Sequence, residues 1–452
     1  MKLLLLQPYL GRLQPPVFPI GLACLAAHLP GHELHGLDLN VTPEPLEVLR
    51  QTLQTLVPDA VLVSLRNVDS VWYSDPFCYL PFIQDQIRQI RAQAPQARII
   101  MGGTGFTIFA REVMARTPEI GLGVIGEAEE MIEGLLTQKH PPEYFPNVLY
   151  REGTVLKGGT QVGIASMKDY LFPRYDLFSM EPYVSELRGV GLETKRGCPL
   201  SCSYCTYPRL NGSRLRLIPP ATIVGILREL KERFGVKRFH LTDSIFNIPR
   251  GHADKFLQEL VEAKLGLKWD AYFHESYFDE ELLDLSLEAG CDKFWFSPDG
   301  YTPHALKALG KEQTVADVKR AWNLVTSRKN VKADFNLFWQ FPDMSWRDFG
   351  AMVGFYLWHS FRSNGEVTIS LNQIRIEPGT AIQEQAVAEG LIGADDPLLP
   401  THTADLMRMF YHRRRRGFFE WSYDFFLNLK ELRWNLKLRL KRLKKRLSSA
   451  LS

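Results

Sequence analysis

Three of the chain's six cysteines fall within eight residues, in Arg196-Gly197-Cys198-Pro199-Leu200-Ser201-Cys202-Ser203-Tyr204-Cys205, and no other feature of the 452 residues constrains the fold so tightly. Spacings of three and then two intervening residues put three thiolates on one tight loop. That suits three irons of an iron–sulfur cluster and leaves a fourth iron without a protein ligand. Such an iron is a place to bind substrate. Structural zinc is an alternative, but zinc asks for four ligands from paired knuckles, and no second C-x-x-C or H-x-x-x-H pair follows nearby. Three core cysteines are another, although burial alone gives no reason for this spacing.

The stretches on either side of the loop alternate short apolar runs with helical segments. Before it, residues 2–6, Ala60 to Leu65, Arg98 to Gly103 and Leu122 to Glu127 read as strands, and Ile20 to Leu29 and Ile83 to Ala94 as helices. Buried strands alternating with helices predict a doubly wound parallel sheet, which binds ligands at the carboxyl ends of its strands. Gly102-Gly103 sits at such an end, where missing side chains let a large ligand approach the backbone. No G-x-G-x-x-G opens a helix, which lowers the dinucleotide reading.

After the loop come a helix from about Ala221 to Phe234 and strands at Arg238 to Thr242, Lys268 to Phe273, Lys293 to Phe296, Val331 to Trp339 and Val367 to Ile376. With Val190 to Thr194 these make six, the count of a partial (β/α)6 barrel whose site belongs at the strands' C-terminal ends. The expected organisation is an α/β chain: an N-terminal doubly wound domain (1–140), a proline-rich linker (141–185), the partial barrel (186–384) and a helical C-terminal region (385–452).

The C-x3-C-x2-C loop, with Tyr204 before its last cysteine, resembles the signature of radical S-adenosylmethionine enzymes. The resemblance implies that Cys198, Cys202 and Cys205 hold a [4Fe-4S] cluster, that S-adenosylmethionine chelates the fourth iron, and that Tyr204 lies along the adenine. Thr242-Asp243-Ser244 stands where the family carries a Gly-Gly-Glu-like turn for the amino group. Here the glycines are missing and Asp243 supplies the carboxylate. Ser297-Pro298-Asp299-Gly300 is similar to the ribose- and carboxylate-binding loop, and Glu377-Pro378-Gly379-Thr380 to the turn closing the barrel.

Residues 1–140 resemble the cobalamin-binding, Rossmann-like domain that precedes the barrel in one class of these enzymes, with Ser64-Leu65, Gly102-Gly103 and Gly126-Glu127 in the positions of its loops. Histidine-ligating members carry D-x-H-x-x-G after the first strand; here the loop is Gln7-Pro8-Tyr9-Leu10-Gly11. The resemblance then leaves the lower face of cobalt to another group, and Arg66 is the candidate, with a surface or salt-bridging arginine as its simpler reading. An enzyme of this class implies an electron donor such as a flavodoxin or ferredoxin and transfer of a methyl group to an unactivated carbon. A cyclase or rearrangement enzyme without methyl transfer is the alternative, and a non-catalytic cobalamin or redox sensor is the alternative of another class.

Charge sets the tail apart. From Arg413 onward thirteen Lys/Arg face three acidic residues, a net of +10, so the chain's +3 leaves −7 for residues 1–412. Leucines at 429, 432, 436, 440, 443 and 447 recur every three or four residues among the basic ones, the pattern of a basic amphipathic helix. Either it docks on the body by its leucines or it lies on an anionic membrane, for which the preceding aromatic residues argue. Nucleic acid is the weaker alternative. No apolar run reaches eighteen residues, Met1 to Pro8 is too short for a signal peptide, and Cys24, Cys78 and Cys291 stand singly. These point to the cytoplasm, with peripheral contact on the inner face of the membrane and a small or lipid-like substrate.

Overall fold

The computed structural model describes all residues except 14, 185–188, 363–365, 413–417, 419–420, 423–424 and 426–452. The basic leucine-striped helix expected in the tail lies outside the described residues.

The first sheet contains β1 (Lys2–Gln7), β2 (Glu33–Asp38), β3 (Ala60–Ser64), β4 (Arg98–Gly102), β5 (Leu122–Val124), β6 (Val148–Glu152) and β7 (Val155–Gly158), in the order β2-β1-β3-β4-β5-β6-β7. The strands from β2 to β5 run parallel. Leu3 to Leu6 of β1 are fully buried, because helices cover both faces of a doubly wound sheet. The chain reverses its winding between β1 and β3, so the loops after these two strands border the crevice of the switch point, and the loop after β4 lies next to that after β3.

The stretch 141–185, read from its prolines as a linker, contributes structure. β6 pairs antiparallel with β5, and β7 with β6, extending the first sheet. Tyr175 and Tyr183 further along it are fully buried, with Phe18 packed against both rings. The hairpin's outer strand keeps its side chains exposed or half-buried, so it lacks the apolar run that marks a buried strand.

The second sheet holds six parallel strands, β8 (Val190–Leu192), then, beyond a short antiparallel pair of β9 (Lys195–Arg196) and β10 (Arg216–Leu217), β11 (Arg238–Leu241), β12 (Lys268–Phe273), β13 (Cys291–Asp299), β14 (Lys332–Phe338) and β15 (Val367–Asn372). Their order, β8-β11-β12-β13-β14-β15, is an open barrel with β8 and β15 at its edges. Alternate residues divide between two environments. Phe239, Leu241, Trp269, Ala271, Phe273, Phe294, Phe296, Phe335 and Leu337 are buried, whereas His240, Asp270, Tyr272, Trp295, Asp334 and Asn336 take the other face. The helix Pro220–Phe234 begins at the Pro219-Pro220 pair and ends at Gly235 in the left-handed region. Thr314 caps the helix Val315–Ser327 with a capping box.

Candidate active site

The cysteine loop leaves β9 and lies at the C-terminal ends of the barrel strands. Neighbouring turns hold it by its backbone: Cys198 N donates to Gly212 O at 3.0 Å, Ser203 N to Leu309 O at 3.0 Å, and Ile382 N to Ser203 O at 3.0 Å. The last of these ties the loop to the turn after β15. Gly310, with φ +63°, lies so close beneath the loop that a Cβ there would come within 2.7 Å of Ser201 O.

Cys198 is buried, Cys202 and Cys205 half-buried, and none forms a disulfide. Burial raises the Cys202 thiol and pushes that of Cys205 up to about 12, while the Lys311 cation pulls both down. Tyr207 N donates to Cys205 Sγ at 3.4 Å. Among the described residues no group of three or more Cys, His, Asp or Glu side chains is gathered for a single metal ion. A cluster that takes one thiolate on each of three irons asks for no such convergence. Three thiols in electrostatic reach of one another, with a fixed cation and an N–H aimed at sulfur, are a donor set that fits it.

Beside the loop, Tyr204 Oη and Lys311 Nζ both donate to Asp299 Oδ2, and Asn336 Nδ2 donates to Oδ1 at 2.9 Å. Lys311 Nζ also donates to Ser297 O at 2.8 Å. Burial works against the charge on Lys311, but Asp299 and the Cys202 thiol outweigh it and leave its pKa raised. The Tyr204 ring meets Phe338 edge-on, with centroids 4.7 Å apart. Tyr204, Ser297 and Asp299, singled out separately in the sequence, thus share one network.

The turn after β11 differs from the expectation. Asp243 Oδ1 accepts from Thr194 N at 2.7 Å, and Oδ2 accepts from Thr194 Oγ1 and from Lys195 Nζ at 2.9 Å. Both oxygens are used inside the protein, and the side chains of the Asp243–Lys195 pair are each 1% exposed. Asp243 therefore offers no open carboxylate. Thr242, by contrast, is exposed, and its hydroxyl donates to Leu192 O at 3.2 Å. The Ser244 hydroxyl donates to Gly197 O, at the entry to the cysteine loop.

In the first domain Ser64 pairs with Gly102, and Leu65 N donates to Gly102 O at 2.8 Å. Gly103 has φ +100°, and a Cβ there would lie 2.7 Å from Leu65 O, so the two loops touch without side chains between them. The Ser64 hydroxyl makes no hydrogen bond among the described residues. The same is true of the Arg66 guanidinium, which is half-buried and has its pKa lowered by burial against the attraction of Tyr79, Tyr207 and Asp38. Tyr207 in turn feels the thiols of Cys205 and Cys198 as well as Arg66, so the Arg66 loop and the cysteine loop face one another. The crevice with two glycines, a free hydroxyl and an unpaired cation fits a large polar cofactor. The Gln7 to Gly11 loop is fastened by Gln86, whose Oε1 accepts from Tyr9 N at 2.9 Å, and brings no histidine.

Gly126 and Glu127 are engaged elsewhere. The position above Gly126 is occupied by Gln161, and Glu127 binds Arg216 through Oε2 and Arg196 through Oε1, the latter at 3.5 Å. Arg196 also pairs with Glu129 at 2.6 Å and Glu193 at 2.7 Å. No local pattern marks this cluster, because its partners are up to 89 residues apart.

Residues 7–136 match the B12 binding domain and residues 192–354 the radical SAM superfamily. The chain carries a B12 binding domain followed by a radical SAM domain, and cobalamin, S-adenosylmethionine and a [4Fe-4S] cluster are the cofactors those domains imply. Among its relatives are the anaerobic magnesium-protoporphyrin IX monomethyl ester cyclase of Cereibacter sphaeroides, 24% identical over 325 residues (69% of this chain, 51% of that protein), and the tryptophan 2-C-methyltransferase of Streptomyces laurentii, 26% identical over 371 residues (66% and 59%). The chain thus spans between about half and three fifths of the length of these two. In fold it resembles the radical S-adenosylmethionine methyltransferase TsrM of Kitasatospora setae, solved with cobalamin and a [4Fe-4S] cluster. The TM-score is 0.74 at 23% identity, covering 92% of this chain and 86% of that one.

Proposed function

We propose that the protein is a cobalamin-dependent radical S-adenosylmethionine methyltransferase acting on an unactivated carbon of a small molecule. The observation that carries this reading is the opposition of two loops: the glycine-bordered crevice with Arg66 on one side, the three cysteines on the other, and Tyr207 in electrostatic reach of both. When bound, the cofactors supply reductive cleavage of S-adenosylmethionine, hydrogen-atom abstraction and a methyl donor. The chain's own residues hold and orient. Cys198, Cys202 and Cys205 offer the thiolates, Lys311 supplies a buried cation beside Cys202, Tyr204 and Asp299 shape the adjoining wall, and Ser64, Leu65, Gly102 and Gly103 form the crevice. Arg66 would offer a bound cobalamin positive charge and no coordinating nitrogen. Holding reactants in fixed positions is the protein's main share of such catalysis.

The test is anaerobic reconstitution with cobalamin, iron and sulfide, followed by assay of deoxyadenosine and of labelled methyl transfer, with metabolites compared between wild-type and deletion strains. Deoxyadenosine without methyl transfer would favour the cyclase reading, which the match to the C. sphaeroides enzyme supports, and no deoxyadenosine would favour a sensor. The reading also calls for a low-potential electron donor of the flavodoxin or ferredoxin kind. No described helix is long and apolar enough to cross a membrane. Peripheral membrane contact rests on the tail; truncation after Phe426 should abolish sedimentation with anionic vesicles at low salt, and unchanged sedimentation would remove the tail's role. The polar face of the barrel favours a small polar substrate over a lipid-like one.

A further inference from the structure

Below the mouth of the barrel, β11 and β12 bring together a group of side chains that the cofactor loops do not use. His240 Nδ1 lies 2.5 Å from Asp270 Oδ1, Trp295 Nε1 donates to the same oxygen at 2.9 Å, and Arg238 Nη2 donates to Oδ2 at 2.8 Å. Burial raises the Asp270 pKa, but the hydrogen bonds from His240, Trp295 and Arg238 outweigh it and leave the carboxyl below its usual range. An ionised carboxylate only accepts, so Nδ1 of His240 carries a proton, and Nε2 of the neutral ring is left as an acceptor.

That lone pair is unspent. Nε2 makes no hydrogen bond among the described residues, and the imidazole side chain is 32% exposed. Its register partner on the other side, in β8, is Gly191, which places no side chain against it. Tyr272 meets the imidazole edge-on at 6.4 Å and stacks on Trp295 at 5.9 Å, and its own hydroxyl is unpartnered among the described residues with the residue 39% exposed. His240 stands two residues before Thr242, roughly 7 Å deeper in the barrel at the rise of an extended strand.

We propose that His240, held by Asp270 and flanked by Tyr272 and Trp295, forms a hydrogen-bonding floor that receives the N–H or O–H of a flat, polar small substrate whose opposite end lies at the mouth. The floor accepts through Nε2, and the Tyr272 ring, backed by Trp295 with Lys293 Nζ 3.3 Å from the Trp295 ring centroid, forms the flat wall beside it. It deepens the reading of the protein as an enzyme on small molecules, and it is tested by binding without turnover, so its failure leaves methyl transfer standing.

The experiment uses full-length protein carrying cluster and cobalamin, with S-adenosylmethionine added, and two matched probe pairs: indole against 1-methylindole, and phenol against anisole. Binding is followed by ligand-observed NMR. Each donor should bind about tenfold more tightly than its methylated partner, the worth of one hydrogen bond, and His240→Phe should erase the difference. Selective 15N labelling of histidine supplies a second measurement on the wild type, needed if the variant does not fold. The Nε2 resonance of His240 should be that of an unprotonated nitrogen and should shift with indole but not with 1-methylindole. Equal binding of all four probes, no binding at millimolar concentration, a preference that survives His240→Phe, or a protonated Nε2 would each overturn the floor.

Discussion

Replacing Asp243 by Asn separates two roles for the turn after β11. As a ligand for an amino group, the residue would lose binding and leave stability unchanged. As the partner of Lys195, it would do the reverse. Lys195 Nζ reaches Asp243 Oδ2 at 2.9 Å, Phe246 O at 2.8 Å and Thr194 Oγ1 at 3.2 Å, in a site where both charged side chains are 1% exposed. Removing one charge of such a pair leaves the other buried without compensation, at a cost of about 3–5 kcal/mol. Asn can still accept from Thr194 N, so the lower half of that range applies. Each kcal/mol moves the Tm of a 150–250-residue domain by about 2–4 °C, and a fall of about 10 °C is therefore expected. Thermal unfolding should be followed by near-UV circular dichroism, with isothermal titration of S-adenosylmethionine well below the transition. The companion Lys195→Met/Asp243→Asn protein, which removes both charges, should regain part of the loss. An unchanged Tm with abolished S-adenosylmethionine binding would refute the buried-pair assignment.

Changing Cys198, Cys202 and Cys205 together to alanine should abolish iron–sulfur absorbance and deoxyadenosine formation while bound cobalamin, read by its visible spectrum, is kept. Because the Gln7 to Gly11 loop holds no histidine, the electron paramagnetic resonance of the cobalt(II) form should lack axial nitrogen superhyperfine splitting. Glu275, buried at the end of β12, has its carboxyl pushed up from 4.5 to about 8, by burial against the opposing pull of Lys311. A raised pKa contributes stability below about pH 4.5 that is lost as pH rises toward 8. Glu275→Gln and wild type should therefore have similar Tm at pH 5, and the variant should be the more stable at pH 8.5.

Much of the fold was legible because buried parallel strands appear in sequence as apolar runs. The strand Lys268 to Phe273 was read with its observed bounds, and the other barrel strands differ by a few residues at their ends. The cysteine loop was legible through spacing alone. The hairpin of β6 and β7 was not, because its half-exposed strands have no such run. Nor could the position of Asp243 in the motif show its engagement, since Lys195 arrives from 48 residues earlier in the chain. His240 and Asp270 carry a readable signal. In Arg238-Phe239-His240-Leu241-Thr242 and Asp270-Ala271-Tyr272-Phe273 every second residue is polar, which is unexpected in a strand covered on both faces and marks the side turned to the barrel interior.

The misreading of Glu127 bears on how the two domains work together. Loops after the strands of a doubly wound sheet ordinarily serve the ligand, yet two loops of the first domain also dock on arginines of the barrel. Glu127 and Glu129 bind Arg196 and Arg216, while Asp69, three residues after Arg66, pairs with buried Arg375 at 3.2 Å. Arg196 lies two residues before Cys198, and Arg375 two before Glu377 in the turn that leads to Ile382. Both clasps therefore grip segments that hold the cysteine loop itself. Ion pairs contribute little net stability when buried, but their directionality fixes register between surfaces that apolar packing would leave free to slide. A catalyst that must keep a cobalt-bearing crevice and a cluster loop at a constant separation needs such register more than it needs extra stability. These ion pairs place Glu127 at the domain junction, and the proposed cobalamin crevice is left with Ser64, Leu65, Arg66, Gly102 and Gly103.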